Sequence, residues 1–137
     1  MILKIIGAIL GVIGGSIYLK APKSTLGYAG ILGALGWIIY LITLNLTNET
    51  MAVFITGLSI ALLSHLLART TKTPITIFLI PGFLTLVPGM ALYYSVRYFM
   101  EGSPLASDSL RTTLGISGLI ALAIFIVDSL IKPLDRS

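Results

Sequence analysis

Apolar residues run almost unbroken through five stretches of this chain, 2–19, 26–46, 51–68, 75–100 and 112–131, and polar positions are confined to the short segments between them. Each stretch is close to or above the roughly 20 residues a helix needs to cross the hydrocarbon layer. The pattern predicts an all-α integral membrane protein of about five transmembrane helices. The connections 20–23, 47–50, 69–74 and 101–111 carry the turn and charged residues. None is long enough to separate two domains, so residues 1–137 are read as a single transmembrane domain.

The fourth stretch is interrupted by two Pro-Gly pairs, Pro81-Gly82 and Pro88-Gly89, seven residues apart. A proline lacks an N–H, so a continuous helix here would strand the carbonyls of Ile77 and Leu84, and each following glycine weakens it further. An unsatisfied backbone group in hydrocarbon costs several kcal/mol, so irregular backbone survives only beside protein or trapped water. The break therefore predicts a cavity. Pro88 suits the first position of a new helix, which would turn the N–H groups of Gly89, Met90 and Ala91 and the positive dipole end toward a carboxylate. Thr85 lies between the pairs and is placed to bond a freed carbonyl or a ligand. The expected substrate-binding residues are Pro81, Gly82, Thr85, Pro88, Gly89 and Tyr93, with an ordinary proline kink as the alternative. For an amino-acid cargo, the Ile77 and Leu84 carbonyls are candidates for the ammonium group. For a dicarboxylate, Pro81-Gly82 would be the second anion site.

Small residues recur at helical spacing elsewhere. Gly7, Gly11 and Gly15 form two overlapping GxxxG steps, and Gly27, Gly30, Gly33 and Gly36 make a narrow groove on the second stretch. All seven are read as helix-packing positions. Trp37 and Tyr40, which follow the groove, are read as packing or interfacial residues.

Composition narrows the function class. The chain is 56% hydrophobic and 10% charged, with a mean hydropathy of +1.03, too apolar for a domain whose solvent is water. Its net charge of +4 comes from nine Lys and Arg scattered at the ends of the apolar stretches, which argues against nucleic acid. With no cysteine, one histidine and five acids, neither a metal site nor a cofactor is expected. No nucleophile motif or nucleotide-binding glycine loop suggests an enzyme. Residues 1–15 resemble a signal peptide, but the apolar run continues to Leu19, a spanning length. Two glycosylation tripeptides, at Asn45 and Asn48, are read as coincidence.

The basic residues set an expected topology, because Lys and Arg near span ends stay on the cytoplasmic side. Lys20, Lys23, Arg69, Lys72, Lys132 and Arg136 fall on one side of a five-span arrangement, and Lys4, Arg97 and Arg111 on the other. This places the N-terminus outside and the C-terminus in the cytoplasm of a multi-pass cell-membrane protein. Among interior charges, Asp128 is the deepest acid and His65 has the one side-chain type whose ordinary charge change lies near neutral pH, so both are proton-relay candidates beside the plainer readings of a boundary pair for Asp128 and an interfacial residue for His65. Arg97 and Glu101, and likewise Asp128 and Lys132, are spaced as i,i+4 helix pairs.

The stretches Ala21-Pro22-Lys23 into Gly27–Trp37, then Leu67-Ala68-Arg69 with Lys72 and Pro74, then Ile80-Pro81-Gly82 to Leu86-Val87-Pro88-Gly89 and Tyr93, resemble the C-terminal membrane half of the threonine/serine exporter family. The Leu-Val-Pro-Gly element after an upstream Pro-Gly is the most specific part. The resemblance implies the small separate subunit of a split secondary transporter in a prokaryotic plasma membrane. It further implies export of threonine and serine, or of a dicarboxylate such as succinate. A companion membrane subunit carrying the N-terminal half, or a homo-oligomer, is the implied partner in the lipid bilayer. A small channel and an assembly subunit that never touches the cargo are the alternatives.

Overall fold

The computed structural model describes residues 1–135, so Arg136, counted in the charge bias, lies outside the described residues. Six α-helices follow one another: α1 (Ile2–Tyr18), α2 (Leu26–Leu46) after a 3-10 turn at Lys23–Thr25, α3 (Glu49–Thr71), α4 (Thr76–Phe83), α5 (Gly89–Met100) and α6 (Leu105–Asp135). The predicted all-α membrane architecture is present. Residues 23–46, 49–71 and 105–133 are each long and apolar enough to cross a bilayer. Helix α1 is shorter at 17 residues, and the fourth apolar stretch is divided into α4 and α5.

Polarity is arranged for lipid. Large apolar side chains such as Leu10, Ile31, Leu62, Leu114, Phe125 and Leu130 are exposed, whereas Ser16, Thr56 and Ser64 are fully buried. Such an outside would be costly in water and is normal where lipid tails are the solvent. Inside, Ser16 returns its hydroxyl to the Val12 carbonyl at 2.9 Å, the local way for a helix to satisfy a buried Ser.

Glycine spacing decides how closely α1 approaches α2. A Cβ on Gly33 would lie 2.7 Å from Val12 Cγ2 and 3.0 Å from the Ala8 carbonyl oxygen, and one on Gly30 would crowd Ile13 and Ile9. The pairing 30 with 13 and 33 with 8 and 12 makes the two helices antiparallel. Gly36 meets Ile60 of α3, and Gly15 meets Leu84 and Pro81. Gly7, Gly11 and Gly27 meet nothing within 4 Å, so only four of the seven expected packing glycines pack within this chain.

The helix α4 sits at the centre. Phe78 is buried with Val12, Ala29 and Leu32, and Phe83 with Ile60, Ala61, Leu86 and Val127, so one short helix ties two core clusters together. Gly57 against Ala123, together with His65 against Asp128, makes α3 and α6 parallel. This alternation gathers Lys20, Lys23, Arg69, Lys72 and Lys132 at one end of the bundle, as the charge pattern predicts. At that end α1 and α3 close on left-handed lysines, Lys20 (φ 59°) and Lys72 (φ 55°). The N–H groups of Ala21 and Thr73 then bond back to Ser16 and Ala68, satisfying carbonyls that the helix ends leave free. At the other end Asn48 caps α3 by accepting from the Met51 N–H at 2.9 Å.

Candidate functional site

The backbone leaves the helix where the second Pro-Gly pair stands, not at the first. Pro81 lies inside α4, and Gly82 is buried where a Cβ would lie 2.9 Å from Ile60 Cγ2 and 3.2 Å from Leu32 Cδ2. The first pair is thus a close-packing point. It lines neither cavity described below, although it was expected among the ligand contacts.

After Phe83 the chain turns through residues 84–88. The Phe83 carbonyl accepts from both Leu86 and Val87, and the Thr85 hydroxyl donates to the Gly82 carbonyl at 2.9 Å, the local of the two uses expected for it. Pro88, at φ −79° and ψ 59°, is the centre of an inverse γ-turn in which the Gly89 N–H donates to the Val87 carbonyl at 2.8 Å. Two expectations shift by one residue as a result. Pro88 caps α5 instead of opening it, and the Gly89 N–H is already used. Among the described residues the N–H groups of Met90 and Ala91 have no acceptor, and Leu92 begins the helical ladder on the Pro88 carbonyl at 2.9 Å.

These groups open on a cavity of about 380 Å³ formed by residues 85–91 with Trp37, Tyr40, Glu49, Val53, Thr112 and Ile116. A second cavity, about 450 Å³, lies on the other side of Trp37 and Thr85 and is lined by Lys4, Gly7, Ala8, Gly11 and Leu84. Trp37 and Thr85 border both. The Trp37 indole N–H is buried without a hydrogen-bond partner. A larger groove of about 550 Å³ between α5 and α6 holds only apolar and serine or proline side chains, with no charge to orient a polar cargo.

Glu49 was read only as a loop acid. Its place on the cavity wall follows from the Asn48 cap, which starts α3 there, and from the height at which the fourth stretch breaks. No spacing in the sequence connects the two. Tyr93, by contrast, is exposed on α5 in a surface groove with Val96, Arg97, Met100 and Glu101 and does not border the break. Arg97 and Glu101 form the expected i,i+4 pair at 2.9 Å.

The remaining candidates come together. His65 Nε2 of α3 lies 3.7 Å from Asp128 Oδ1 of α6, and Lys132 Nζ lies 2.7 Å from the other Asp128 oxygen. Among the described residues no group of three or more His, Cys, Asp or Glu is arranged to hold a metal ion.

A family profile described as "Threonine/Serine exporter, ThrE" matches residues 4–130, nearly the whole chain. Neither a curated protein nor a solved structure gives a significant match.

Proposed function

Because this chain belongs to the threonine/serine exporter family and is a membrane protein built for transport, we propose that it is one subunit of a secondary transporter that carries a small carboxylate metabolite out of the cell. The observation that supports this reading most directly is the break at 84–88. It leaves two backbone donors, Met90 and Ala91, on a cavity at the positive end of α5. Helix starts of this kind favour anions, and non-helical backbone within a bilayer is tolerated where it lines a cavity. A passive channel has no need of such donors, and a pure assembly subunit has no need of the cavity.

Threonine and serine are the first cargo candidates, and a dicarboxylate such as succinate the second. Vesicles loaded with labelled threonine should show saturable efflux that unlabelled serine inside the same vesicles slows. Steady, non-saturating leakage would favour the channel instead. Gly7, Gly11 and Gly27, unopposed within the chain, are the positions where a companion subunit or a second copy would pack closely.

In this reading the chain crosses the plasma membrane five times, with α4 and α5 together making the fourth crossing and the lysine-rich end in the cytoplasm. A cysteine replacing Ser24, at that end, should be protected from an impermeant thiol reagent added to intact cells, whereas one replacing Ser107 should be labelled. The opposite pattern would invert the orientation. His65 and Asp128 are assigned to energy coupling, since an acid within reach of a histidine inside a span is suited to carry a proton.

A further inference from the structure

Threonine and succinate both offer a carboxylate to the donors of Met90 and Ala91, and they differ in what the rest of the molecule carries: an ammonium group or a second negative charge. The same cavity answers that difference. Its wall includes Glu49, in the first turn of α3 and facing the turn that carries Pro88. Among the described residues Glu49 forms no ion pair, and Arg111 borders only the adjoining cavity of about 290 Å³ that the two share with Thr112. Trp37 borders the same cavity, and its indole N–H is buried without a hydrogen-bond partner.

We infer that Glu49 is the cation subsite of this cavity and receives the ammonium group of an exported α-amino acid whose carboxylate faces Met90 and Ala91. The inference rests on the transport reading above and narrows it. Glu49 is exposed, but an anion on the cavity wall still attracts a cation and repels a second carboxylate, so the cavity favours a zwitterion over a dicarboxylate. At about 380 Å³ it lies toward the small end of the roughly 300–1,000 Å³ typical of small-molecule sites. The carbonyls first considered for the ammonium group are placed elsewhere: Leu84 borders the other cavity and Ile77 neither.

The test is binding of radiolabelled L-threonine, succinate and glycerate to membranes from cells producing the full chain, with and without Glu49→Gln. Glycerate is serine with a hydroxyl in place of the ammonium group. Loss of one charge-assisted contact should weaken threonine by roughly 10- to 100-fold while glycerate holds or improves. The ratio of the two ligands within one preparation does not depend on how much of the variant folds. Unchanged threonine binding in the variant, or equal weakening of threonine and glycerate, overturns the role of Glu49 and leaves transport intact. Wild-type membranes that prefer succinate to threonine overturn it likewise. If they bind none of the three, the transport reading falls with it.

Discussion

Replacing Gly89 with valine should reduce export to the background of cells lacking the protein, while the chain still folds and inserts. A Cβ at Gly89 meets nothing within 4 Å, and the residue opens a helix at ordinary negative φ, so the protein accommodates the larger side chain. Valine also has somewhat better helix propensity than glycine, by a few tenths of a kcal/mol, so stability should hold or rise slightly. The added methyl groups project beside Met90 and Ala91, where the proposed carboxylate is held. Hydrogen bonds to a charged group are worth roughly 1.5–3 kcal/mol each, so displacing a ligand from two of them costs at least about a hundredfold in affinity. Gly14, equally unopposed but away from both cavities, is the matched control, and valine there should leave efflux unchanged. Export at the normal rate by the Gly89 variant would mean that the break serves only structure.

Asp128→Asn is expected to abolish export driven by a pH gradient while sparing threonine exchange at equal concentrations on both sides. An amide cannot take up and release a proton, and exchange needs no net proton movement. The fold should tolerate the change. Asp128 keeps 36% of its side-chain surface exposed, and an i,i+4 ion pair such as that with Lys132 contributes only about 0.3–0.5 kcal/mol. Lys132→Ala should therefore leave coupling in place. Efflux by the Asp128 variant that still rises with an imposed pH gradient would remove His65 and Asp128 from the coupling scheme.

The apolar stretches marked every helix, because in a bilayer the length of an apolar run and the crossing it makes are nearly the same quantity. The break, too, could be read from Pro88-Gly89. What the chain did not disclose was the unequal fate of its two Pro-Gly pairs. Pro81 forfeits one hydrogen bond inside α4, yet Phe78 and Phe83 anchor that helix in two cores, and the missing Cβ of Gly82 lets Ile60 and Leu32 close in. Tertiary packing outweighs the local penalty there, and no comparable packing surrounds Pro88. His65 and Asp128, 63 positions apart, were legible only as separate groups, because the parallel pairing of α3 with α6 depends on contacts such as Gly57 with Ala123. Glu49 was obscure for the same reason: its neighbour across the cavity is set by where α5 begins in space.

The division of the fourth stretch bears on how the protein is made. Helix α4, at eight residues, is about 12 Å long, and α5, at twelve, about 18 Å, so neither half alone crosses a hydrocarbon layer of about 30 Å. The turn between them is sheltered by Leu86 and Phe83, which are buried against Val127. Val127 belongs to α6, which leaves the ribosome after α1 to α5. The cavity therefore takes its final form only once α6 has been made, and biogenesis must hold the fourth segment in a provisional shape until that helix arrives beside it.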